Sequence, residues 1–189
     1  MNQQISFRQY RSIDLTILAI ILAVSQSLIY FASSRWFTDQ LYVVSPVAAI
    51  VALVMMRWSG YAAIHAVLGG VLFTALSGGT WQHFVIYGAG NLLSMLALVM
   101  FKIFGKERIR KDSFLTLVFA LCVQLLMQLG RAGFAALFGH PAAACLGFIT
   151  TDVLSDLFTL FVIWAVRRIE GLFEDQKHYL LRTQSEQTS

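Results

Sequence analysis

Charge is what this chain has least of. Only 13% of its 189 residues are Asp, Glu, Lys or Arg, against 58% hydrophobic, whereas a soluble domain carries about a quarter charged residues. Long stretches hold no charge at all, so lipid is the solvent for most of the chain. Cysteine is nearly absent. Cys122 and Cys145 fall near opposite ends of adjacent antiparallel segments, too far apart to bridge. With four scattered histidines they also give no metal-ligand spacing. Catalytic and nucleotide motifs are missing too: there is no Gly-x-Ser-x-Gly elbow, no His-Glu-x-x-His and no phosphate-binding glycine loop with lysine. These absences predict a non-catalytic chain with no intrinsic cofactor. The net charge of +4 does not point to nucleic acid, because the basic residues sit between apolar runs, as membrane topology requires.

The apolar runs themselves predict an all-α fold, an integral membrane six-helix bundle in one domain, with spans at about 13–31, 43–58, 61–76, 81–104, 114–138 and 146–169. Lipid offers no partner to backbone polar groups, so such runs must be helical. The first follows Arg8 and Arg11 as a signal peptide would, but it is long for one and lacks a small-residue cleavage site, so it reads as a retained span. Arg57-Trp58-Ser59-Gly60 reads as a tight interfacial turn, with a re-entrant hairpin as the alternative. Lysine and arginine set the orientation. An inward amino terminus puts Arg8, Arg11, Arg57, Lys102, Lys106, Arg108, Arg110, Lys111, Arg167 and Arg168 on one side and only Arg35 on the other. Both termini are therefore expected in the cytoplasm of a cell whose plasma membrane the chain crosses. The polar tail, 170–189, is expected to be interfacial and then frayed.

Against this background the polar residues inside spans stand out. Gln124, Gln128 and Arg131 share one face of the fifth span, and Asp152 and Asp156 lie one turn apart in the sixth. Counted from the Gly-His-Pro turn between them, Arg131 and Asp152 reach a similar depth of roughly 10 Å. An ion pair is geometrically available, and Asn91 of the fourth span reaches a comparable level. Two readings stand side by side: a structural clamp between helices, or the polar floor of an outward-facing cavity. Trp36, Tyr42, Trp81, His83 and Tyr87 fall on the same side. Each alone suits an interfacial belt; together with Gly78-Gly79 and Gly88-Ala89-Gly90 they suit a mouth and lid. His65, away from them, reads as a hydrogen-bonded packing residue.

The first span carries Ala19-x-x-x-Ala23, with Ser27 one turn on, a stripe along which another helix can approach closely. Six short spans, both ends inside, LTILAIILAVSQSL in the first helix and polar residues in the last three: this architecture resembles the S component of an energy-coupling-factor vitamin transporter. The resemblance covers nearly the whole chain by architecture rather than by a fixed signature. It implies a substrate-binding subunit, with ATP hydrolysis left to partners. The implied partners are a transmembrane coupling subunit, packed on Ala19, Ala23 and Ser27, and two cytoplasmic ATPases. By position it places an outer vitamin pocket at Trp36, Trp81, Tyr87, Asn91, Gln128, Arg131 and Asp152, with Tyr42 and His83 at its rim. The transported ligand it most suggests is cobalamin; riboflavin, biotin, pantothenate, a thiamine precursor and folate stay open. A small six-span scaffold of the cell envelope is the competing reading, with an intramembrane enzyme and a stand-alone secondary transporter further alternatives.

Overall fold

A computed structural model describes residues 6–36 and 44–187, with side chains as far as 182. Every regular element among the described residues is helical. Five stretches are long and apolar enough to cross a membrane: Phe7–Trp36, Val47–Leu76, Trp81–Phe104, Ser113–Leu137 and Ala142–Val166. That marks a multi-pass membrane protein. We label the helices α1 (Phe7–Trp36), α2 (Val47–Trp58), α3 (Ala62–Leu76), α4 (Trp81–Phe104), α5 (Lys106–Lys111), α6 (Ser113–Leu137), α7 (Ala142–Thr150), α8 (Val153–Val166) and α9 (Gln176–Gln187).

The 30-residue stretch Val47–Leu76 is not one rod. It folds back at Ser59, whose φ of 51° is a left-handed conformation rarely taken outside glycine. Val47 at the start of α2 thereby packs on Gly69 in the middle of α3. The reversal expected at Arg57–Gly60 is present, and it makes α2–α3 a hairpin of short helices. Helix α2 is apolar on every side except at Arg57, and all twelve of its residues are buried, as befits the central post of a bundle. By contrast, only 17% of the best window of α1 is covered by the rest of the chain.

Glycines set how close the other helices come. A methyl group on Gly70 would strike the Tyr87 carbonyl, and one on Gly130 would strike the Gly90 carbonyl. Helix α4 is therefore pressed between α3 and α6, backbone against backbone. Gly88 and Gly90, expected in a lid, lie instead within this packed helix. Replacing Gly130 by Val is expected to destabilise the protein by about 1–3 kcal/mol, as overpacking does. A thermal melt of the purified protein checks this.

Two sequence expectations about ends are corrected. Helix α1 extends through Trp36, so Arg35 and Trp36 belong to its last turn rather than to a loop. The tail is not frayed from residue 170. Phe173 and Gln176 are buried, and α9 follows. Polar clasps hold the segment: Lys106 pairs with Asp175, and Glu174 accepts both Arg110 (3.1 Å) and Arg182 (3.2 Å). Burial works against ionising Asp175, but the Lys106 ammonium outweighs it and leaves the carboxyl below its ordinary range. The Arg110 hydrogen bond is the main cause holding Glu107, beside the clasp, down from 4.5 to about 2. Both folded values lie below the unfolded ones, so this stabilisation is complete above the unfolded carboxylate range. It is lost as pH falls through the folded values. Hydrogen exchange in α9, corrected for intrinsic rates, is therefore expected to stay level between about pH 7 and 5 and to rise towards pH 2.

The sixth predicted span is broken. Helix α7 ends at Thr150 and α8 begins at Val153. Thr150 and Thr151 each turn their hydroxyl back on a carbonyl four residues earlier, at 3.2 and 2.6 Å. Such back-bonding competes with the helix ladder and bends it. The break leaves Asp152 just ahead of α8, where the helix dipole favours a negative charge.

Candidate binding cavity

Arg131 is the hub of the polar layer. It projects from α6 and is 7% exposed. Its Nε donates to Asn91 Oδ1 of α4 at 2.8 Å, and its Nη1 donates to Asp152 Oδ2 at 3.3 Å. Asn91 is itself fixed, since its Nδ2 donates to the Ala66 carbonyl of α3 at 2.9 Å. The guanidinium also lies 5.3 Å from the ring centre of Tyr87, within range of a cation–π attraction. A single side chain thus ties α3, α4, α6 and the α7–α8 break together.

The remaining amides complete the layer. Gln124 Nε2 donates to Asp152 Oδ2 at 3.1 Å, and Gln128 Nε2 donates to Asp156 Oδ1 at 2.7 Å. The ion pair expected between Arg131 and Asp152 is present. Gln124 and Gln128 both donate to the carboxylates, and Asn91 accepts from the guanidinium.

A cavity of about 160 Å³ opens beside this pair, lined by Ser45, Val47, Gly69, Gly70, Phe73, Tyr87, Arg131, Phe148, Thr151 and Asp152. Three of its lining residues are aromatic. Tyr87 has Phe73 at 4.7 Å and Phe148 at 5.8 Å between ring centres, the first tilted against it and the second edge-on. Tyr87 is delivered by a π-helical turn, Val85–Ala89, a widening of the helix that recurs at functional sites. Gly69 and Gly70 leave the cavity its width, because any side chain there would fall on Val47 or Tyr87. Ser45 is oriented from outside: its N–H donates to Ser155 Oγ at 3.0 Å, and its hydroxyl reaches Gln26 Oε1 at 3.5 Å.

Of the residues that the sequence nominated, Tyr87, Arg131 and Asp152 line the cavity. Asn91 and Gln128 support it without lining it. Trp36 is 76% exposed at the end of α1, and Trp81, 68% exposed, packs edge-on against Phe138 at 5.4 Å. His83 caps its own helix: the Thr80 N–H donates to His83 Nδ1 at 3.1 Å. None of these three residues lines the cavity. Tyr42 lies outside the described residues. Sequence reading missed Ser45, Phe73, Phe148 and Thr151 as lining residues. Phe148 did carry a signal, since it lies four residues before Asp152.

Three half-buried small residues, Ala19, Ala23 and Ser27, run along α1 beside its buried stripe of Leu18, Leu22 and Gln26. Their other neighbours, Ile20, Val24 and Leu28, are exposed. His65 is buried, with Nε2 3.1 Å from the Leu15 carbonyl, as a packing histidine should be. No known family model matches the chain, and no curated protein or solved structure matches it either.

Proposed function

We propose that this protein is the substrate-capturing subunit of an energy-coupling-factor importer, a six-span protein of the plasma membrane with both termini in the cytoplasm. The observation that carries the reading is the Arg131–Asp152 pair at the wall of an aromatic cavity. Charge buried at membrane depth is expensive and by default marks a site. A clamp that served packing alone would not need a cavity beside it. The interrupted helix ahead of α8 supports the same reading, because half-helix ends commonly point at transported substrates.

In this reading the ligand enters from the end of the bundle opposite to the basic residues, and the α1 face offers the contact for the coupling subunit. ATP is hydrolysed by the two partner ATPases and not by this chain. Ligand pockets generally run to about 300–1,000 Å³. A cavity of about 160 Å³ favours a small vitamin or precursor over the bulk of cobalamin. The competing scaffold reading accounts for the exposed α1 face but gives no reason for the cavity.

Affinity purification from native membranes tests the proposal. The coupling protein and both ATPases are expected in the eluate, and Ala19→Leu/Ala23→Leu is expected to cut their recovery at least tenfold while the subunit itself stays folded. Recovery of envelope-assembly proteins instead, unchanged by those substitutions, would favour the scaffold.

A further inference from the structure

The groups that face the cavity still have unused hydrogen-bonding capacity, and its arrangement specifies a ligand. Arginine carries five N–H donors in a fixed fork. Arg131 commits its Nε to Asn91 and one Nη1 hydrogen to Asp152, so the Nη2 donors have no partner among the described residues. Asp152 is the mirror case. Its Oδ2 accepts from both Gln124 and Arg131, while its Oδ1 accepts nothing among the described residues. A spare donor and a spare acceptor thus lie on adjacent groups of one salt bridge, whose ends are only 9% and 15% exposed.

Three properties of a ligand follow. The first is charge. The pair is neutral as a unit, and in a low-dielectric wall a net charge on the ligand attracts one member while repelling the other. A neutral ligand escapes that conflict. The second is size. An apolar cavity of about 150 Å³ takes a benzene ring, so a cavity of about 160 Å³ has room for one six-membered ring between its walls. The third is shape. Phe73, Tyr87 and Phe148 present ring faces and edges, which suit a flat aromatic partner.

We infer that the cavity binds a neutral, single-ring nitrogen heterocycle that offers a hydrogen-bond donor and an acceptor on one edge, the donor to Asp152 Oδ1 and the acceptor to Arg131. The inference rests on the reading of this cavity as a capture site, and it narrows the ligand from any small vitamin to one chemical class. Any further part of the ligand lies outside the ring cavity. The competing partner for the spare atoms is water. Water would satisfy them without selecting between rings, and the test turns on that difference.

The probes are cytosine and nicotinamide as neutral rings with donor and acceptor, toluene as an apolar ring, and benzoate and benzylamine as charged rings. Each is titrated into the full-length protein in lipid nanodiscs, with the shift of the thermal midpoint as readout. Cytosine or nicotinamide is expected to raise the midpoint in a saturable way, at least tenfold more tightly than the other three. Asp152→Asn, which keeps size and shape, is expected to weaken that binding at least tenfold, and Phe148→Leu to weaken it by a smaller factor. Tightest binding of benzoate or benzylamine overturns the inference and leaves the capture reading standing. Equal effects from all five rings, or from none of them, overturn it as well. The capture reading is decided separately, by recovery of the ATPase partners.

Discussion

Replacing Arg131 by Ala is expected to abolish ligand-induced stabilisation and to cost about 3–5 kcal/mol of stability, the usual penalty for breaking a buried pair from one side. The alanine leaves Asn91 Oδ1 without its donor and Asp152 with only Gln124. A loss of binding in this variant alone would be ambiguous, because the bundle loses the hub between α3, α4, α6 and the α7–α8 break. The double variant Arg131→Met/Asp152→Leu resolves the ambiguity. Well-packed apolar replacements of a buried pair are often neutral or stabilising, so this variant is expected to melt near the parent temperature. It is nevertheless expected to bind at least 100-fold more weakly. If it bound ligand like the parent, the pair would be a clamp and nothing more.

The second large effect is expected at the opposite end of the bundle, from Arg57→Ala. Arg57 is 5% exposed. Its Nε and Nη2 donate to the two carboxylate oxygens of Asp14 at 2.9 and 2.6 Å. Its Nη1 donates to the carbonyls of Gly171 and Leu172, both at 2.9 Å. Asp14 is held further by the Trp58 indole N–H. Alanine would leave the Asp14 carboxylate with only the Trp58 N–H, the Leu172 carbonyl without its donor and the Gly171 carbonyl with only Gln176, so a loss of about 3–5 kcal/mol is expected here too. Lysine cannot reproduce a two-pronged contact, and Arg57→Lys is expected to recover only part of it. The distinguishing readout is location. Hydrogen exchange should rise in the tail and in α9, while ligand affinity at the far end of α2 changes by less than threefold wherever the protein remains folded. A large affinity change would mean that the two ends are coupled through α2.

Much of this was legible because lipid makes polar residues expensive. The spacing of Gln124, Gln128 and Arg131, set against Asp152 across a short turn, was enough to anticipate the ion pair found at 3.3 Å. The all-helical fold was legible for the same reason, since backbone groups in lipid have no other partner. The aromatic wall was harder. Phe73 and Phe148 are ordinary apolar residues in apolar helices; the close approach of α3 and α4 at Gly70 sets Phe73 against Tyr87, and Phe148 reaches the same ring from α7. Trp36, Trp81 and His83 misled because an aromatic near a span end suits both a belt and a binding site, and sequence does not tell the two apart.

The helix break was within reach. Two threonines directly before an aspartate, inside an apolar run, announce competition for the ladder, and the structure ends α7 there. The tail was misread for a different reason. Its composition is polar, but two of its apolar residues, Leu172 and Phe173, find a home against the core at the basic end. Asp14 was also missed, although a lone acid within an apolar run carries the same signal of cost as Asp152.

The Arg131–Asp152 cavity is expected to hold a small molecule. Native mass spectrometry of the protein released from nanodiscs tests it most directly, after incubation with an extract of the cells that make it. One bound small molecule per chain is expected in the parent protein, absent from Arg131→Met/Asp152→Leu under the same conditions. An unoccupied parent, or the same bound mass in parent and double variant, would contradict it.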